Sequence, residues 1–230
     1  MSTATLHRPR GRVGLADRVL AHSFARVDLF WLPLGAGGHS VRLNGRVFEA
    51  VAAGLEGRRR CDLYHSALEV RIPEGRYVIE QAPSRSWGAQ RGVVNEGAVG
   101  ARAAGRLRLF RYEVRRWLDG EIPDVAEAVE SPQRATEDAA LARRLLDLVP
   151  AVPTPVWGRD ELGTGEMWNS NSVVSWLLER SGIGVDAVHL PRRGRAPGWH
   201  AGLVVARREQ TLAAVSGTGA ASEPRAAAAT

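Results

Sequence analysis

Ser170, His65 and Glu80 have the chemistry of a nucleophile, a base and an acid. Each of them stands in a segment whose apolar residues follow a helical or strand pattern. Ser170 follows Asn169, a good helix N-cap, so its hydroxyl is expected in the first turn of a helix. There the free backbone N–H groups and the helix dipole favour developing negative charge. His65 is a candidate base, and Glu80 is a carboxylate that could orient the imidazole. Together these residues indicate acyl transfer or hydrolysis of an amide or ester.

Apolar residues recur at helical spacing after Ser170, and Gly182 is a plausible C-terminal stop. The recurring residues are Val173, Val174, Trp176 and Leu177. The same segment has a purely structural interpretation, because small polar residues cap helices in many proteins that have no catalytic site.

The segment Asp62–Ile72 predicts a strand in which Leu63, His65 and Ala67 share one face. Both faces are partly apolar, which is typical of a central strand. Pro73–Arg76 predicts a turn, and Tyr77–Ala82 predicts the next strand, antiparallel to the first.

A tight turn centred between Glu74 and Gly75 would place His65 near Ser84 and Glu80 near Glu69. His65 and Glu80 would then be offset by about four positions. A bulge, a wider loop or a helical crossing is therefore needed to bring the base and the carboxylate together.

Other elements are predicted from apolar periodicity and turn residues. We expect strands at 28–34 and 199–206, a hairpin at 40–53, an irregular loop at 83–105, a strand at 106–117 with a bulge at Phe110, and a helix at 136–148. We expect a mobile tail at residues 1–20, a single domain at residues 21–207 and a disordered Ala-rich tail at residues 208–230.

Composition excludes several classes of protein. The net charge is +6 and all 31 basic residues are arginine, as in a GC-rich coding sequence, so the charge alone does not indicate nucleic-acid binding. A protein that binds nucleic acid through its arginine-rich loops is a weaker interpretation than those given below.

The single Cys61 excludes an intrachain disulfide, and no cluster has metal-ligand spacing, so neither a metal nor a cofactor is predicted. No apolar segment approaches the ~18–20 residues of a membrane span. A soluble, cytoplasmic protein with a small-molecule, peptide or acyl substrate is therefore expected.

Two motifs resemble the circularly permuted NlpC-type, papain-like family, which includes lecithin–retinol acyltransferase-like proteins. Tyr64-His-Ser-Ala-Leu-Glu-Val70 looks like the histidine motif of that family, and Tyr77-Val-Ile-Glu80 looks like its next strand, which carries the third polar catalytic residue. Asn169-Ser-Asn-Ser-Val-Val174 looks like the start of its nucleophile helix. The resemblance covers about residues 28–185.

The resemblance implies an α+β, permuted papain-like (NlpC-type) fold, with an antiparallel sheet packed against a nucleophile-bearing helix. It assigns Ser170 as nucleophile, His65 as base and Glu80 as orienting acid. The neighbouring residues of the same motifs are candidates for substrate binding or oxyanion support. These neighbours are Asn169, Asn171, Ser172 and Tyr64.

The chain departs from the family at the nucleophile, because Ser170 stands where the family has cysteine. A thiol at a helix start beside histidine is readily ionised, whereas a serine hydroxyl stays neutral until a base removes its proton. Two interpretations therefore stay open. The chain is either a Ser-His-Glu acyltransferase or hydrolase, or an inactive papain-like domain that binds a peptide, lipid or acyl ligand in the cleft.

Overall fold

The structure, a computed structural model, describes residues 25–34, 61–84 and 92–219. This part of the chain forms a sheet and three α-helices. The strands are β1 (Arg26–Pro33), β2 (Asp62–Ile72), β3 (Gly75–Pro83), β4 (Val93–Ala98), β5 (Arg111–Leu118), β6 (Gln133–Thr136) and β7 (Gly194–Arg195). The helices are α1 (Ala139–Leu148), α2 (Ser170–Ser181) and α3 (Trp199–Gly219).

Six strands pair antiparallel in the order β4-β5-β3-β2-β1-β6, and the two-residue β7 pairs parallel with the start of β2. Strand β2 is therefore central, as its two partly apolar faces predicted. Helix α2 packs on β2 and β3. The predicted α+β class, with an antiparallel sheet packed against the helix that begins at Ser170, is confirmed.

The two faces of the sheet carry different cores. The face covered by the helices holds the larger cluster, in which the apolar side of α2 meets β1, β2, β3 and β5. Its sheet residues include Val27, Leu29, Trp31, Tyr64, Leu68, Val70, Ile79, Tyr112 and Val114. The other face, called here the second face, carries a smaller cluster of Leu32, Ala67, Val78 and Ile122 against Phe30 and Ala128. Alternation along each strand assigns every neighbouring residue to one face or the other.

Helices α2 and α3 run side by side in the same direction. Ser175 Oγ donates to the carbonyl of Trp199 at 2.8 Å near their starts, and Arg207 pairs with Glu179 at 2.9 Å farther along. The helices approach closely at Gly202, where an added Cβ would lie 2.1 Å from the carbonyl oxygen of Ser172. Only glycine fits at this crossing, and the contact brings both helix N-termini to the same end of the sheet.

The C-terminal region differs from the prediction. The segment 199–206 was expected as a strand but forms the first half of α3, and the helix continues to Gly219 through part of the predicted disordered tail. A short apolar run has the same composition in a buried helix and a buried strand. Here the run packs on α2, with Ala201, Val205 and Ala206 buried.

The middle of the chain also holds more structure than expected. The predicted loop at 83–105 contains β4, and β6 was not predicted. The expected bulge at Phe110 is instead two tight turns, Ala103–Arg106 and Arg108–Phe110, after which β5 begins at Arg111. Helix α1 starts three residues later than predicted, because Asp138 accepts hydrogen bonds from the backbone N–H groups of Ala140 and Leu141.

Three predictions lie outside the described residues: the hairpin at 40–53, the tail at 1–20 and the last part of the Ala-rich tail. Among the helices of the described ranges, none combines the length and the apolar character needed to cross a membrane.

Candidate functional site

The first turn of α2 is built by its own sequence. Asn169 is extended, with φ −161°, and its side-chain oxygen accepts the N–H of Asn171 at 2.8 Å. Ser172 Oγ accepts the N–H of Asn169 at 3.1 Å, which completes a reciprocal capping box. At the other end Gly182 has φ 84° and closes the helix in the left-handed conformation. Both predicted ends of this helix are therefore confirmed.

Asn171 fastens the start of α2 to strand β2. Its side-chain oxygen accepts from Ser66 Oγ at 2.9 Å, and its amide nitrogen donates to the carbonyl of Tyr64 at 2.9 Å. The same nitrogen donates to Pro197 O just before α3. Asn171 and Ser66 are almost fully buried, so these hydrogen bonds are shielded from water.

His65 projects away from α2. In the β1–β2 pair Trp31 lies opposite Ser66, and Leu32 lies opposite His65. Residues opposite each other in a ladder share a face. Trp31 belongs to the core beneath the helices, whereas Leu32 belongs to the cluster on the second face. Ser66 therefore faces α2 and His65 faces the other side of the sheet.

Glu80 also projects from the second face. It lies opposite Arg115 of β5 and two residues after Val78, which belongs to the second-face cluster. Arg115 Nη1 donates to Glu80 at 2.8 Å, and the same guanidinium bonds Glu113 at 2.8 Å. Ser84 Oγ donates to Glu113 at 2.7 Å. All four side chains are buried, so Glu80 belongs to a hydrogen-bonded ion cluster.

The three predicted catalytic residues are therefore not joined. Ser170 starts α2 on the helix-covered face, while His65 and Glu80 share the second face. Across the described ranges no hydrogen bond links Ser170 to His65 or His65 to Glu80. The acid whose charge acts on His65 is Asp124.

The environment of His65 makes it a weak base. Burial lowers the pKa of its imidazole to about 4, although the nearby charge of Asp124 acts in the opposite direction. At neutral pH the ring is therefore neutral and could accept a proton. Its affinity for that proton, however, is well below that of an ordinary histidine. A general base works best with a pKa near the operating pH.

The candidates for substrate or oxyanion contact have structural partners. Asn169 and Ser172 form the capping box, and their side chains also bond Pro197 O and Gly198 O, both at 2.8 Å. The ring of Tyr64 packs in the helix-side core, and burial raises its pKa, with added repulsion from Asp62 and Glu130. These groups hold α2, β2 and the start of α3 together.

Gln81 is the residue that the sequence analysis missed. Leu68 pairs with Ile79, and two residues farther along each strand lie Ser66 and Gln81. Side chains alternate with period two, so both face α2. Gln81 also lies opposite Val114 of the helix-side core. In the sequence Gln81 stands directly after the candidate acid Glu80. Gln81 can be singled out only when it is known which face of the sheet meets the helix.

Polar atoms around the start of α2 lack partners. Gln81 is 6% exposed, and its amide oxygen and nitrogen are buried with no hydrogen bond. Trp168, two residues before the helix, has a buried indole Nε1 without an acceptor. Ser170 is 6% exposed, and its hydroxyl makes no hydrogen bond within the described residues. We call Ser66, Gln81, Trp168, Ser170 and Asn171 the α2 polar cluster.

The α2 polar cluster contains only neutral hydrogen-bonding groups. Buried polar atoms are normally satisfied by protein or by water, and each unsatisfied one costs about 1–3 kcal/mol. The two buried side chains without partners, Gln81 and Trp168, therefore indicate a place prepared for another molecule, and the hydroxyl of Ser170 lies beside it. Within residues 25–34, 61–84 and 92–219, no group of three or more His, Cys, Asp or Glu side chains could hold a metal ion.

Comparison of the chain with models of protein families, with curated proteins and with solved structures found no match.

The pKa of His65 predicts a loss of stability in acid. An unfolded histidine binds a proton near its ordinary pKa of 6.5, while folded His65 binds one only near 4. Between these values the unfolded state holds more protons, so the free energy of unfolding falls as the pH drops. In urea unfolding, His65→Gln should remove up to about 3 kcal/mol of this loss. The same change at exposed His200 is the control, and equal pH profiles for wild type and His65→Gln would contradict the assignment.

Two buried glutamines of the helix-covered face provide a matched test of the α2 polar cluster. Gln133 accepts the N–H of His189 at 2.8 Å and donates to Glu130 O at 3.1 Å, whereas both ends of Gln81 are unpartnered. Gln133→Leu should lower the free energy of unfolding by about 1–3 kcal/mol. Gln81→Leu should leave it unchanged or raise it by about 1 kcal/mol. Equal destabilisation in chemical denaturation would mean that Gln81 is satisfied in the free protein.

Proposed function

We propose that this chain is a non-catalytic domain of the permuted papain-like group that binds a peptide-type ligand at the start of α2. The proposal rests on one observation: the buried polar atoms of Gln81 and Trp168, on the helix-covered side of the sheet near this helix start, have no hydrogen-bond partner, while His65 and Glu80 lie on the opposite face. Membership of the group is supported by the chain order, in which the strand with the histidine precedes the helix with Ser170.

An amide ligand matches the unpartnered atoms better than a carboxylate or an acyl chain does. The side chain of Gln81 has a free acceptor and a free donor side by side, which complement the N–H and C=O of a peptide amide. Trp168 Nε1 adds a donor, and the hydroxyl of Ser170 can donate or accept. A carboxylate only accepts hydrogen bonds and would leave the oxygen of Gln81 unsatisfied. An aliphatic chain would satisfy none of these atoms.

The absence of acyl-transfer chemistry is the second part of the proposal. A serine attacks a carbonyl only when a base takes its proton during the reaction. Within the described residues, the polar strand side chains that face α2 at this level are Ser66 and Gln81, and neither of them is basic. The positive end of the helix dipole can still attract a carbonyl oxygen, which binds a ligand without activating it.

Ligand binding should be visible at one tryptophan. Trp31 Nε1 already donates to His189 O at 2.9 Å and Trp176 Nε1 to Glu209 at 3.1 Å, so only the Trp168 indole gains a partner among these three. In ¹⁵N–¹H spectra titrated with N-acetylalanine amide, the Trp168 indole signal should move downfield while those of Trp31 and Trp176 stay. Sodium octanoate is the comparison ligand, and the Gln81→Leu variant should weaken the response. An unmoved Trp168 signal, or a larger response to octanoate, would contradict the peptide-type assignment.

The reactivity of position 170 separates the two interpretations of the site. We expect no labelling of the natural protein by a fluorophosphonate serine probe. We also expect the thiol of Ser170→Cys to titrate identically with and without His65→Gln, as followed by its rate of alkylation by iodoacetamide. Any depression of that pKa should come from the helix start alone. Labelling of Ser170, or a thiol pKa that rises by about one unit or more when His65 is replaced, would instead support a Ser-His-Glu enzyme.

A further inference from the structure

An exposed segment between β4 and β5 combines apolar tips with positive charge. We call residues 102–111, Arg-Ala-Ala-Gly-Arg-Leu-Arg-Leu-Phe-Arg, the arginine–leucine turn. None of the residues in its two tight turns is buried. Leu107, Leu109 and Phe110 are 63%, 80% and 42% exposed. Single exposed leucines are ordinary, but three large apolar side chains within four residues form a patch that water solvates poorly.

Arginine is the only charged residue type in this turn. It contains Arg102, Arg106, Arg108 and Arg111 and no acidic residue. Arg102 pairs with Glu161 at 2.9 Å and Arg111 with Glu96 at 3.1 Å, so the acids that balance it come from neighbouring segments. Beside the turn lies an open cleft of about 390 Å³, lined by Arg102, Arg106 and Arg111 together with Glu96.

The turn is held in place by its own hydrogen bonds. Arg111 Nε donates to Gly105 O at 2.6 Å, and the N–H of Phe110 donates to Leu107 O at 2.9 Å. The N–H of Val99 donates to Phe110 O at 2.8 Å, which ties the turn to the end of β4. Gly105 packs so closely that an added Cβ would lie 2.8 Å from the Cβ of Ala98. The apolar tips are therefore presented on a preformed support and lose little conformational freedom on contact.

We infer that the arginine–leucine turn docks the protein on an anionic lipid surface. Leu107, Leu109 and Phe110 enter the boundary between head groups and acyl chains, and the flanking guanidinium groups bind lipid phosphates. Charge complementarity selects anionic over neutral lipid. A small tip of three exposed apolar side chains suits insertion into a deformable lipid phase, because a stable protein complex requires a broader, complementary surface.

The test is co-sedimentation of the full chain with vesicles. Wild type should bind vesicles of phosphatidylcholine with about 30% phosphatidylglycerol and should not bind pure phosphatidylcholine. Leu107→Ser with Leu109→Ser keeps every charge and should weaken binding at least about tenfold. Leu212→Ser with Val215→Ser, which alters two equally exposed residues of α3, is the matched control and should bind as wild type does.

Charge and insertion are tested separately. Arg106→Ala with Arg108→Ala should weaken binding more than Arg144→Ala with Arg192→Ala, which removes the same net charge from other exposed positions. On a Cys61→Ser background, Leu109→Cys labelled with the fluorophore NBD should shift to the blue with anionic vesicles.

Several results would overturn the inference. Equal loss in the two arginine variants would assign binding to the general charge of the chain. Equal loss in the two serine variants would mean that binding does not depend on the apolar side chains of the turn. An unshifted label would mean adsorption without insertion. Retention on immobilised poly-glutamate that requires Leu107 and Leu109, without vesicle binding, would assign the turn to an acidic protein partner instead.

Discussion

The side chain of Asn171 joins the start of α2 to the central strand β2. It accepts from Ser66 and donates to the carbonyl of Tyr64 within one buried contact. That contact fixes which face of β2 meets the helix, and strand alternation then assigns every neighbour. Ser66 and Gln81 lie beneath the helix, and His65 and Glu80 lie on the far side. A shift of one residue would exchange the two sets completely.

The buried polar groups on the two faces of the sheet differ in charge and in hydrogen bonding. On the second face Glu80, Glu113 and Arg115 are charged and buried, and each is hydrogen-bonded. Burial opposes the charge of Arg115, yet its bonds to Glu113 and Glu80 raise the pKa of the guanidinium above its ordinary value. In the α2 polar cluster on the helix-covered face the groups are neutral, and the side chains of Gln81 and Trp168 lack partners. The buried charges, whose desolvation costs most, are compensated within the fold, whereas the unpartnered groups are neutral and cost less to bury.

The α2 polar cluster and the arginine–leucine turn are connected through one stretch of chain. Val99, just before the turn, pairs with Trp157, and the N–H of Gly158 donates to the carbonyl of Trp168 at 2.9 Å. The ring of Trp157 meets Tyr112 edge-on, with centroids 5.8 Å apart, at the start of β5. A peptide-type ligand at Trp168 and a surface docked at the turn would therefore contact neighbouring parts of one packed unit.

Local signals in the sequence determined the elements that carry the site. Asn169 and Gly182 mark the ends of α2, because a capping side chain and a left-handed glycine act within a few residues of the backbone they satisfy. The turn at Pro73–Arg76 marks the β2–β3 hairpin for the same reason. Only the tertiary structure decided which faces meet. Both faces of β2 are apolar, so the period-two pattern does not say whether Ser66 or His65 lies under the helix. The apolar run that begins at Trp199 forms a helix because it packs closely on α2 at Ser172 and Ser175. That contact joins residues about 25 positions apart, which no local pattern in the sequence connects.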